Sequence, residues 1–172
     1  MAIAPEINPQ TVEALLDTTW RMADGEAYRT DGLDRKASSV ATFSSLVLSL
    51  TATLGGRLLD ALGDAWAFGL YVFGLVALIA AVACAVRALF PEEHITLGMA
   101  YLRRFPKWSE IRKAPEHVRG EMMVTLIEAI AVERRINQAK AQNVRWAFGL
   151  LLVGLGFVVI EGAILGAQEV FG

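Results

Sequence analysis

The sequence predicts an all-α membrane protein with three transmembrane helices, its N-terminus inside and its C-terminus outside, and two long helices extending into a cytoplasmic helical bundle. Three observations carry that expectation. Hydrophobic residues make up 55% of the 172, and their excess is gathered into three blocks, 37–56, 65–86 and 146–168, of which only the last holds a charge, Glu161. A bilayer core of roughly 30 Å takes about 20 helical residues, so each block is long enough to cross it. Lys and Arg number four before the first block, one in the first connection, eleven between the second and third, and none after the third. Cytoplasmic flanks carry such an excess, which places residues 1–36 and 87–145 inside and makes the chain a multi-pass membrane protein.

Residues 1–36 read as a cytoplasmic N-terminal helix. Asn8 before Pro9 is a strong start, with Asn as cap and Pro at the first helical position, and no proline follows until Pro91. The opening MAIAPEINPQ lacks the basic and apolar regions of a secretory signal, so no cleavage is expected. Val12, Leu16, Trp20, Ala23 and Ala27 recur at helical spacing and require a partner surface.

Residues 37–90 form a two-span hairpin. The first span is unusually polar: Ser38, Thr42, Ser45 and Ser49 fall four, three and four residues apart, on one narrow helical stripe. Such a stripe either packs against another helix, its hydroxyls bonding across or back to the preceding turn, or lines an opening shared by several copies. In the second span Ala77, Ala81 and Ala85 invite close approach of a neighbouring helix, and Cys84, the single cysteine, reads as a small packing residue. These small-residue faces point to a homo-oligomer.

Residues 91–145 are the cytoplasmic segment. Arg103, Arg104, Lys107, Arg112 and Lys113 alternate there with Tyr101, Phe105 and Trp108. Basic residues among aromatics suit anionic headgroups; the alternative is a phosphate-bearing ligand held by Arg104 and Arg112 with Trp108 or Tyr101 stacked on a base. From Pro115 a second long helix runs into the third span, with Met122, Met123, Leu126, Ile127 and Ile130 on its apolar face. The two stalks, 9–36 and 115–145, come to about 42 and 46 Å at a rise of ~1.5 Å per residue, and both lead outward, so they should pack side by side. Asp31 and Asp34 then face Lys140 and Arg145 in depth, either as interhelical pairs worth about 0–1 kcal/mol each or as solvated charge.

Residues 146–172 hold the third span and a short tail. Gly162 and Gly166 form a GxxxG, and Glu161 lies about 22 Å past Trp146, towards the outer interface, as either a hydrated interfacial acid or a pore-mouth residue. The string WAFGL at both Trp66 and Trp146 is what any interface-to-span transition resembles, so it does not establish a duplication.

A net charge of −2 argues against nucleic-acid binding, His94 and His117 are isolated, and no nucleophile, base or acid cluster has the spacing of a catalytic or metal site. No enzyme, cofactor or metal is expected.

The strings Asp34-Arg35-Lys36-Ala37-Ser38 and Arg135-Ile136-Asn137-Gln138-Ala139-Lys140, flanking a hairpin and a last span, resemble the transmembrane effector domain of bacterial Pycsar antiphage systems. That resemblance implies a chain silent in the inner membrane until a cyclic pyrimidine nucleotide made during phage infection acts on it and membrane integrity fails. With no cyclic-nucleotide-binding fold in the sequence, a direct ligand would meet the basic-aromatic stretch. Among other readings of the residues, a constitutive assembly subunit or an unrelated oligomeric channel stands ahead of a transporter, which would need a midplane substrate site.

Overall fold

The computed structural model describes residues 8–62, 65–90 and 115–171. They form three helices: α1 (Pro9–Leu62), α2 (Ala65–Leu89) and α3 (Pro115–Phe171). α1 starts where Asn8 caps it, Oδ1 accepting the Gln10 N–H at 3.0 Å, and α3 starts on Pro115. At the other end of α2, the Phe90 N–H donates to Val86 O at 3.1 Å, and Arg87 complements the negative end of the helix.

The chain divides into two compact units, Met1–Asp31 with Pro91–Gln138 and Gly32–Phe90 with Ala139–Gly172. In the first, the buried residues among those described are Thr19 and Glu26 of α1 and Leu126, Ala129, Ile130, Ile136 and Asn137 of α3. The α3 set recurs every three to four residues or one heptad, the signature of one helix face. On α1, Val12, Leu16 and Ala23 are half-buried, whereas Trp20 and Ala27 are exposed. The inward face is thus turned toward Thr19 and Glu26, because Glu26 finds partners on α3 that Trp20 does not need. Ile127 likewise faces outward while Leu126 and Ile130 face in.

The second unit is a three-helix core. Val40 and Val47 of α1, Leu78, Ala81 and Ala85 of α2, and Ala147 and Leu151 of α3 form one buried cluster, and Ala37, Ala88 and Val144 form another. The Ala77-Ala81-Ala85 line is wholly consumed inside this unit. Gly154 lets α3 approach α2 closely, since a β-carbon there would stand 2.7 Å from Leu78 Cγ and Cδ2. Gly55 does the same for α1, because its face is covered by the Tyr71 ring. By contrast, Gly162 and Gly166 face open space.

The outer faces are apolar too. Phe43, Leu46, Leu50, Phe73, Val76, Ile79, Leu152, Val153 and Val159 are all exposed, a surface that water does not tolerate and hydrocarbon does. Among the described residues two helices are long and apolar enough to cross a membrane, Phe68–Leu89 with a mean hydropathy of 2.5 and His117–Ile164 with 2.3 over their apolar windows. Only 33% and 22% of those windows are buried, whereas the core helix of a water-soluble fold is mostly buried. The chain is all-α, with two long apolar helices built as candidate spans.

Candidate functional site

Two clusters of buried polar groups, one in each unit, involve the residue strings singled out in the sequence. In the first unit Glu26 projects from α1 with only 9% of its side chain exposed. Arg134 of α3 donates Nε–H to Glu26 Oε1 at 3.0 Å, and Arg29 stands 3.8 Å from Oε2 one turn along α1. Asn137 Nδ2 donates to both Glu26 O and Oε2 at 3.2 Å. Both neighbours are acceptors, which identifies that end of the amide as nitrogen. Thr30 Oγ1 lies 2.9 Å from Asn137 Oδ1 and 3.0 Å from Glu26 O, so its single proton is divided between two acceptors.

A buried carboxylate is tolerated only when paired and hydrogen-bonded, and Glu26 is both. The Arg134 hydrogen bond holds its pKa below the ordinary value of 4.5, helped by Asn137 and by the charges of Arg134 and Arg29, against the opposing effect of burial. Asn137 is thus fixed at both ends of its amide, as a helix-to-helix register pin.

In the second unit Lys140 Nζ donates to Asp34 Oδ1 at 2.9 Å. The lysine side chain is 6% exposed and the aspartate 39%, so the ammonium is drawn inside while the carboxylate keeps access to solvent. One turn on from Asp34, Ala37 is fully buried against Ala88 and Val144. A bulkier residue at 37 would push α1 away and stretch the ion pair, which accounts for an aspartate and an alanine three residues apart opposite a lysine.

The other residues picked out from sequence are placed as follows. Asp31 and Arg145 are exposed. Ser38, Thr42, Ser45 and Ser49 all lie on the exposed side of α1, while the hydroxyls that turn inward are Ser44 and Thr51. Thr51 donates to Val47 O at 2.8 Å, and its own carbonyl accepts from Tyr71 Oη at 3.4 Å. Glu161 is buried, with its carboxyl towards Gly74 of α2. Arg103, Arg104, Lys107, Trp108, Arg112 and Lys113 lie outside the described residues. Among the described residues no three His, Cys, Asp or Glu side chains come together as a metal site.

Sequence reasoning missed Glu26, Thr30 and Arg134 as members of a site. A faint signal was there: Thr19, Glu26 and Thr30 fall seven and four residues apart, a polar line where an apolar one is usual.

Residues 19–166 match the family model of the Pycsar effector protein domain, a stretch that contains both polar clusters and the described core. No curated protein and no solved structure matches the chain.

Proposed function

This chain belongs to the Pycsar effector protein family, and from that premise we propose that it is a non-enzymatic effector of the bacterial inner membrane, which a cyclic pyrimidine nucleotide switches from silent to permeabilising during phage infection. One observation besides family membership supports this reading: two helices present apolar side chains outward along their length instead of burying them. Such a surface commits the protein to lipid, where a change in helix packing acts directly on the barrier. The apolar block of α1, 37–56, joins these two as a span, the first in chain order, with the N-terminus inside, the C-terminus outside and the segment 91–145 in the cytoplasm.

The proposed resting state is a homo-oligomer whose exposed hydroxyls Ser38, Thr42, Ser45 and Ser49 meet neighbouring copies, and the basic residues Arg103, Arg104, Lys107, Arg112 and Lys113, with Trp108, take the anion. A ligand shifts a two-state protein only by binding one state more tightly, so cyclic nucleotide must prefer the permeable state.

The test is membrane potential in cells producing the full chain, with and without a pyrimidine nucleotide cyclase. Depolarisation that depends on the cyclase is expected. Unchanged potential in both would remove the effector reading in favour of a constitutive assembly subunit. A thiol probe at Glu110→Cys in a Cys84→Ala background should be protected in whole cells and labelled in inside-out vesicles; the reverse pattern would overturn the topology.

A further inference from the structure

Among the described residues of the second unit, two buried side-chain oxygens have no hydrogen-bond partner, one on Glu161 and one on Ser44. Glu161 is 3% exposed, and its Oε1 is sealed from solvent with no hydrogen-bond partner. It lies across from α2 at Gly74, where a β-carbon would sit in ordinary contact with Oε1, at 4.0 Å, and closer to Phe157 Cβ, at 3.1 Å. No described cation is near. Arg145 precedes Glu161 by sixteen residues on the same helix, about 24 Å, and Arg87 follows Gly74 by thirteen on α2, about 20 Å. Lys140 is bound to Asp34. On α1, Ser44 Oγ is also buried without a partner.

An acid buried here loses its hydration with no hydrogen bond in return, a cost that an apolar side chain such as leucine does not carry. The residue therefore weakens the closed core and has most to gain from water. Opening the unit to water is otherwise unfavourable, since the buried cluster of this unit is made of Val40, Val47, Leu78, Ala81, Ala85, Ala147 and Leu151.

We propose that Glu161 is the wetting residue of the three-helix unit: it keeps the packed core under-stabilised, and its hydration sustains the open, permeable state. This rests on the permeabilising reading given above. Once the helices loosen, water reaches the carboxyl first and Ser44 next, and the hydrated acid opposes closure. The role of the residue is energetic bias between two packings, a property that a merely structural residue would not have.

The experiment uses the full chain in phosphatidylethanolamine and phosphatidylglycerol vesicles loaded with a self-quenching dye, with cyclic UMP and cyclic CMP as probes. Glu161→Leu should raise the thermal unfolding midpoint by a few degrees and cut nucleotide-dependent dye release about tenfold, whereas Glu161→Gln, still able to hydrate, should release more than Glu161→Leu. A Glu161→Leu protein that is no more stable, or that leaks as the parent does, overturns the proposal. If the parent itself releases no dye with either nucleotide, the permeabilising reading and the open-state role fall together. The unfolding midpoint depends on the packed core alone and still decides whether the acid weakens it.

Discussion

Lys140 Nζ sits 2.9 Å from Asp34 Oδ1 with its own side chain almost fully covered, so a buried ammonium depends on a single carboxylate from the neighbouring helix. The two halves of this pair are not equivalent. Removing the aspartate strands a charge inside the unit; removing the lysine leaves an aspartate that is already partly in water.

Asp34→Asn should therefore destabilise more than Lys140→Met, by about 1–3 kcal/mol against less than about 1, and the double variant should resemble Lys140→Met. Thermal unfolding of detergent-solubilised protein in a double-mutant cycle reads this directly. Equal losses for the two single variants would contradict the asymmetry of burial.

Glu26 makes stability depend on pH in a defined direction. Its carboxyl is held below the ordinary 4.5 in the folded protein, chiefly by the Arg134 hydrogen bond. The folded state therefore binds its proton more weakly than the unfolded chain, and the contribution is complete above about pH 4.5 and lost as pH falls through the lower folded value. Unfolding midpoints measured from pH 7 to pH 3 should drop on the acid side, and Glu26→Gln should lower the pH 7 value while flattening that limb. An acid limb of unchanged steepness in Glu26→Gln would assign it to other carboxylates.

Glycines of α3 separate by what stands opposite them. A β-carbon at Gly154 overlaps the buried Leu78 side chain, whereas one at Gly156 meets nothing within 4 Å. Gly154→Ala should cost about 1–3 kcal/mol by overpacking, while Gly156→Ala should be neutral or gain up to about 1 kcal/mol from helix propensity. Unfolding midpoints of the two single variants settle it, and a destabilised Gly156→Ala would reveal a neighbour on that face.

Adjacent serines make a similar contrast. Ser44 is fully buried and Ser45 exposed. Ser44→Leu should overpack the core and lower the unfolding midpoint by the equivalent of about 1–3 kcal/mol. Ser45→Leu should leave the fold within about 0.5 kcal/mol. Any effect of Ser45→Leu or Ser45→Glu should then appear in subunit association, read by cross-linking in native membranes, or in ion permeation. Unfolding as severe as that of Ser44→Leu would place Ser45 inside the unit.

Helix boundaries were legible because their signals are local. Asn8 and Pro9 define a start by capping chemistry, Pro115 defines another by its missing N–H, and both operate whatever lies around them. The Lys140 and Asp34 relationship was also within reach, since the lengths of the two stalks put both residues at matched heights on helices expected to run side by side. Glu26 was not. An acid on a stalk reads as solvated charge until Arg134 and Asn137, more than a hundred residues away, are known to converge on it.

By itself, the sequence determined that the chain is helical, where the long helices begin, and which segments are too apolar for water, because capping and hydropathy act over a few residues. Only the tertiary structure decided which way each helix turns. In a helix apolar on every side, periodicity selects no face, and the choice passes to contacts such as Leu78 on Gly154 and Tyr71 on Gly55. Those contacts send Ser44 and Glu161 inward and leave Ser38, Thr42, Ser45 and Ser49 outside, because side-chain volume at one close approach sets the rotation of the whole helix.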